Sequence, residues 1–306
     1  MTFAIILSIF APFLWAMTNH IDKYLLTKID TGKSNIKVLL VFSTFVAGLI
    51  ISPIWLILSN FSVAIKPIAL ICILFASWFC ILTTALYFKA IEENDASFII
   101  IMYQMTPVFS YILAFILFKE TLTFLQIIGS IIILLSAIII SIDFKEKNNK
   151  KKMKALILMT LSSLCFAINY ILFDVAIRNS AYYSCAFWFQ IGFLIVGLIL
   201  ISIKAFREPF MEAIKRNGKK YVSLNILNES FSLSANLLVN YANLTIPIAL
   251  ANVLNGFQGA FVFIIGIIGT IFFPNFIKED LSKSVVIQKV LCILIGIIGL
   301  IILVYN

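Results

Sequence analysis

The sequence predicts an all-α membrane protein of ten transmembrane helices, arranged as two inverted five-helix repeats. Three observations carry this. The 306 residues are 62% hydrophobic and only 12% charged, with a mean hydropathy of +1.09, far more apolar than a soluble domain of that length. Apolar runs of bilayer-crossing length recur from end to end and do not alternate, which excludes a β-barrel. Weak internal matches also relate the first half of the chain to the second.

The expected spans are 3–21, 37–58, 68–90, 96–118, 122–142, 154–177, 182–203, 221–243, 247–272 and 284–304. They divide the chain into a first repeat (1–143), a basic linker (144–153) and a second repeat (154–306). The first span opens without a basic leader or a clear cleavage site, and reads as a retained helix rather than a signal peptide. It contains Pro12 and turns polar at Thr18, Asn19, His20, Asp22 and Lys23. For His20 an interfacial position is preferred over a proton relay, and Asp22 and Lys23 are expected in the headgroup layer. The turn from Lys89 to Ser97 reads as solvated. In the fourth span, Tyr103, Gln104, Thr106 and Pro107 cluster near mid-membrane; a proline there frees a carbonyl that polar neighbours or a ligand can satisfy. Lys204–Lys220 reads as a polar connection. Glycines in the last two spans read as close helix contacts.

The eighth span carries the strongest signal. Asn225, Glu229, Ser232, Asn236, Asn240 and Asn243 are spaced at helical steps of three and four, one face of an amphipathic helix. Two readings stay open for the amides and hydroxyls: the lining of a solute pathway, or interhelical hydrogen-bond glue. For Glu229 the pathway is preferred, because an ionisable group in a membrane helix normally faces a cavity or protein interior.

The repeat is seen by setting Leu14–Asn19 over Leu164–Asn169, and Tyr87–Ile91 over Val239–Asn243. The second alignment places Ser77, Cys80 and Thr84 over Glu229, Ser232 and Asn236. Gln126–Ala137 falls over Gln288–Gly299. Five spans per copy is an odd number, so the second copy must enter the membrane inverted. That is the architecture of secondary carriers, with a site near the midplane.

Leu14–Asn19, Ala85–Ser97, the proline of Thr106–Phe109 and Phe118–Ser130 resemble the EamA-type branch of the drug/metabolite transporter superfamily. The resemblance covers the first half well. The second half diverges, with Gly259 standing where a partner of Pro107 would be. It implies ten helices in two inverted repeats and carriage of a small metabolite. It also implies a cavity lined by helices 1, 3, 4, 6, 8 and 9. Together with the polar stripe, it gives the expected substrate-binding residues Asn19, Tyr103, Gln104, Asn169, Tyr170, Asn225, Glu229, Ser232, Asn236, Asn240, Asn255 and Gln258. No catalytic or metal-binding residues and no cofactor are expected. The partners are a small-molecule substrate, a coupled proton or ion, and the lipid bilayer; the oligomeric state stays open.

The formal charge of +9 does not indicate nucleic acid. All of the 23 Lys and Arg except Lys66, Lys119 and Arg178 fall in the odd-numbered loops and adjoining helix ends. The positive-inside rule puts those loops in the cytoplasm and both termini outside, in a multi-pass protein of the cell membrane. Cys72, Cys80, Cys165, Cys185 and Cys292 all fall in apolar spans and read as small buried hydrophobes. Rival readings are a non-transporting scaffold or receptor and, more remotely, a membrane enzyme, which would need converging acid, base or metal ligands.

Overall fold

A computed structural model describes residues 2–28, 35–119, 123–141, 150–243 and 255–304. Among them, every regular element is helical. We number them α1 Thr2–Thr27, α2 Asn35–Leu58, α3 Pro67–Glu93, α4 Ala96–Leu117, α5 Phe124–Ser141, α6 Lys150–Asn179, α7 Tyr182–Ser202, α8 Lys204–Asn243, α9 Gln258–Phe272 and α10 Lys283–Val304. Helices α2, α3, α4, α6, α7 and α10 are long and apolar enough to cross a membrane; α5 and α9 are shorter apolar helices. The chain is a multi-pass membrane protein. The expected linker falls largely on 142–149, outside the described residues, as does 247–254 of the expected ninth span.

Local chemistry explains the breaks. In α4 the helical ladder is interrupted at Gln104, because Pro107 has no N–H to give and its ring crowds the carbonyl of Tyr103, four residues back. Thr123 and Gln126 cap α5 reciprocally: Thr123 N–H donates to Gln126 Oε1 at 2.9 Å, and Gln126 N–H to Thr123 Oγ1 at 3.3 Å. A π-helical turn occupies Phe42–Val46 of α2.

One expectation is corrected here. Most of Lys204–Lys220 is not a loop. Residues 204–217 form the first arm of α8, bent from the second at Gly218, whose φ of 54° and ψ of −140° lie in a region open essentially to glycine. The arm is amphipathic. Pro209, Phe210 and Ala213 are buried while Lys204, Arg207, Lys215 and Arg216 are exposed. Phe210 packs on Phe42 with ring centroids 5.1 Å apart, and Phe42 meets Tyr221 at 5.4 Å.

The helix pairing has a regular pattern. α3 packs along α6, and α1 packs along α8. α4 touches α6, and α9 touches α1. α2 pairs with α7, α5 with α10, and α4 with α9. Thr83 and Ser162 tie α3 to α6 by exchanging hydrogen bonds with each other's carbonyls, at 3.1 and 3.0 Å. At the α5–α10 crossing, a Cβ on Gly129 would lie 2.5 Å from the backbone nitrogen of Leu303 and 2.8 Å from the Gly299 carbonyl oxygen. Gly299, one of the glycines expected to permit close approach, lies at this crossing.

Candidate functional site

α1 presents Asn19 and Asp22 one turn apart, on one face. Both are buried. α8 presents Asn228, also buried, and its Nδ2 donates to Asp22 Oδ1 at 2.7 Å. The Tyr87 hydroxyl, from α3, donates to Asp22 Oδ2 at 3.3 Å and accepts from Asn19 Nδ2 at 2.8 Å. Gln258, at the start of α9, donates to Asn19 Oδ1 at 2.9 Å. Four helices thus contribute to one hydrogen-bonded chain: Asn228, Asp22, Tyr87, Asn19, Gln258.

This corrects the expectation for Asp22, which is enclosed by α3 and α8 rather than set among headgroups. His20, expected at the interface, is buried in the protein too; its Nε2 lies 2.8 Å from the Val262 carbonyl. Lys23 Nζ donates to the carbonyls of Ile91 and Glu92 at 2.7 and 2.8 Å, satisfying orphan acceptors at the C-terminus of α3.

Among the described residues, buried polar atoms with no partner include Gln104 Oε1, Thr106 Oγ1, Ser163 Oγ, Asn169 Oδ1, Asn255 Oδ1 and, in the chain itself, Asn228 Oδ1. Buried polar groups are almost always hydrogen-bonded, so each of these atoms requires an explanation. Gln104 uses its Nε2 on the Gly256 carbonyl at 3.3 Å. An aromatic row leads away from Tyr87. Tyr103 meets it at 6.2 Å, Phe166 meets Tyr103 at 5.7 Å, and Tyr170 meets Phe166 at 4.6 Å. Tyr170 is 52% exposed.

Glu229 and Asn225 line a cavity of about 140 Å³ between α8 and α2, opposite Ile50, Ile51 and Ile54. The Glu229 carboxyl faces the Ser43 hydroxyl, in the π-turn, and lies within electrostatic reach of Asp22. The amides of Asn225 and Asn236 turn back onto their own helix, donating to the carbonyls of Tyr221 at 2.9 Å and Ser232 at 2.8 Å. Ser232 is half-buried and Asn236 exposed. The side chains of Asn240 and Asn243 lie outside the described residues. Among the described residues, no three of His, Cys, Asp and Glu converge to hold a metal ion.

Of the expected residues, then, Asn19 and Gln258 meet directly, Glu229 and Asn225 share a cavity, and Tyr103 and Tyr170 share one aromatic row. Asp22, Tyr87 and Asn228 join the site without being among the expected residues. A signal for two of them exists: Asp22 follows Asn19, and Asn228 follows Asn225, each by three residues.

Set against known proteins, residues 2–142 match the EamA-like transporter family. No curated protein matches the chain.

Proposed function

We propose, from the EamA-like transporter domain of residues 2–142, that the whole chain is a secondary-active carrier of a small polar metabolite. It works by alternating access between two inverted five-helix halves, around a site lined by α1, α3, α4, α6, α8 and α9. The helix pairing supports the duplication. Replacing each helix by the one five places away turns α3–α6 into α8–α1 and α4–α6 into α9–α1. It leaves α2–α7, α5–α10 and α4–α9 unchanged.

The observation that carries the reading is the buried chain from Asn228 through Asp22 and Tyr87 to Gln258, in which Asn228 keeps an unpartnered Oδ1. Polar groups at membrane depth are tolerated where they line a wet or ligand-filled path. Asp22 and Glu229 are the groups that can take up a coupling proton or ion.

The test needs no knowledge of the substrate. The five native cysteines are replaced, and Asn19→Cys and Asn228→Cys are introduced singly. Each is treated with a membrane-impermeant thiol reagent from either side of a vesicle. A carrier exposes these positions to water, and labelling occurs. A centre unlabelled from both sides favours the scaffold and rules out the carrier.

A further inference from the structure

The geometry points to an ammonium-binding subsite in the cavity between α2 and α8, taking a primary amine with a short hydrocarbon tail. As a statement about cargo this rests on the carrier reading; as a statement about binding it stands by itself.

The cavity has two unlike walls. Ile50, Ile51 and Ile54 of α2 present hydrocarbon; α8 presents Glu229 with Asn225 beside it. Among the described residues of the lining, Glu229 is the one charged group. The neighbouring acid within electrostatic reach of it is Asp22. Buried lysines elsewhere in the protein have partners of their own. Lys23 is held by the carbonyls of Ile91 and Glu92, and Lys289 by Asp95 and Glu279. Ser230 and Ser234 complete the polar side of the lining.

The region is therefore rich in acceptors and acidic, with no basic residue in the described lining. An anion finds no cation there and meets two acidic side chains, and an alcohol offers a single donor. An ammonium brings three donors and the missing positive charge, and a tail of a few methylenes lies along the isoleucines. The cavity's volume of about 140 Å³ suits such a solute.

The test is thermal unfolding of the purified chain in detergent with n-butylamine, 1-butanol or butyrate at neutral pH. Glu229→Gln and Ile54→Phe are run beside the native protein. Binding to the native state raises Tm by mass action. We expect a saturable rise with n-butylamine alone. It should need about tenfold more amine in Glu229→Gln, and disappear in Ile54→Phe, which fills the cavity while keeping the carboxyl. An equal rise with 1-butanol, a rise that survives both substitutions, or no rise at all overturns the subsite. Thiol labelling at Asn19→Cys and Asn228→Cys separates the two ideas. Labelling without amine binding removes the cargo assignment alone. Amine binding with an unlabelled centre removes the carrier alone.

Discussion

Lys289 Nζ sits 2.7 Å from Asp95 Oδ2, joining α10 to the turn that opens α4 across nearly two hundred residues of chain. Its side chain is 2% exposed, and Glu279 completes the arrangement at 2.9 Å. Glu279 also accepts from the Ser97 backbone N–H at 3.1 Å and from the Ser97 hydroxyl. The turn at Asn94–Ser97 is thus not the solvated link that its composition suggests, but one side of a buried ionic cluster.

Removing one member of a buried pair leaves the other charge uncompensated, which costs about 3–5 kcal/mol. Lys289→Met is expected to lower the thermal midpoint in detergent by several degrees. Replacing all three charges, as Lys289→Met with Glu279→Gln and Asp95→Asn, should recover most of it. A single variant as stable as the native chain would show that the three charges do not depend on one another.

Asn228→Leu removes the shorter hydrogen bond to Asp22 and leaves only the 3.3 Å contact from Tyr87. The expected loss is about 1–3 kcal/mol. Tyr87→Phe should couple with it, because both donors serve one carboxyl. A double-mutant cycle checks this, and purely additive losses would mean the two donors act independently.

Gly218→Ala forces a Cβ into backbone angles of φ 54° and ψ −140°. Nothing within 4 Å obstructs the added atom, so the effect isolates backbone strain, about 1–3 kcal/mol. A Tm shift in Gly218→Ala with none in the neighbouring Lys219→Ala is the expected pattern.

Gly129→Val places side-chain carbons against the backbone of Leu303, 2.5 Å from the would-be Cβ. Backbone cannot yield as a rotamer can, so α5 and α10 must part, costing about 1–3 kcal/mol. Loss of a cysteine cross-link engineered across that crossing reports the separation.

A reporter fused after Asn306 is expected on the outer side, as the lysine and arginine bias requires. Cytoplasmic activity of that reporter would reverse the orientation and, with it, the side on which the Lys289 cluster lies.

Much of the fold is legible in the sequence because lipid imposes a simple rule: a spanning segment must satisfy its own backbone, so long apolar runs become helices. Glu229 is legible because a carboxyl in such a run stands out. The first arm of α8 reads as a loop although Phe206, Phe210 and Ala213 recur at helical steps, because the charges between them mask the period. Asp22 and His20 read as interfacial because they lie near the end of α1. Lys289 reads as a loop charge for the same reason, near the start of α10.

The amino-acid order by itself determined a helical membrane protein with a polar stripe on its eighth span, since hydropathy and period are local properties. Only the tertiary structure decided that Asp22 meets Asn228, that Tyr87 bridges Asp22 to Asn19, and that Lys289 finds Asp95. Each of those pairs is made by helices distant in the chain. A buried polar group must find its partner wherever packing places one, and no spacing along the sequence encodes that.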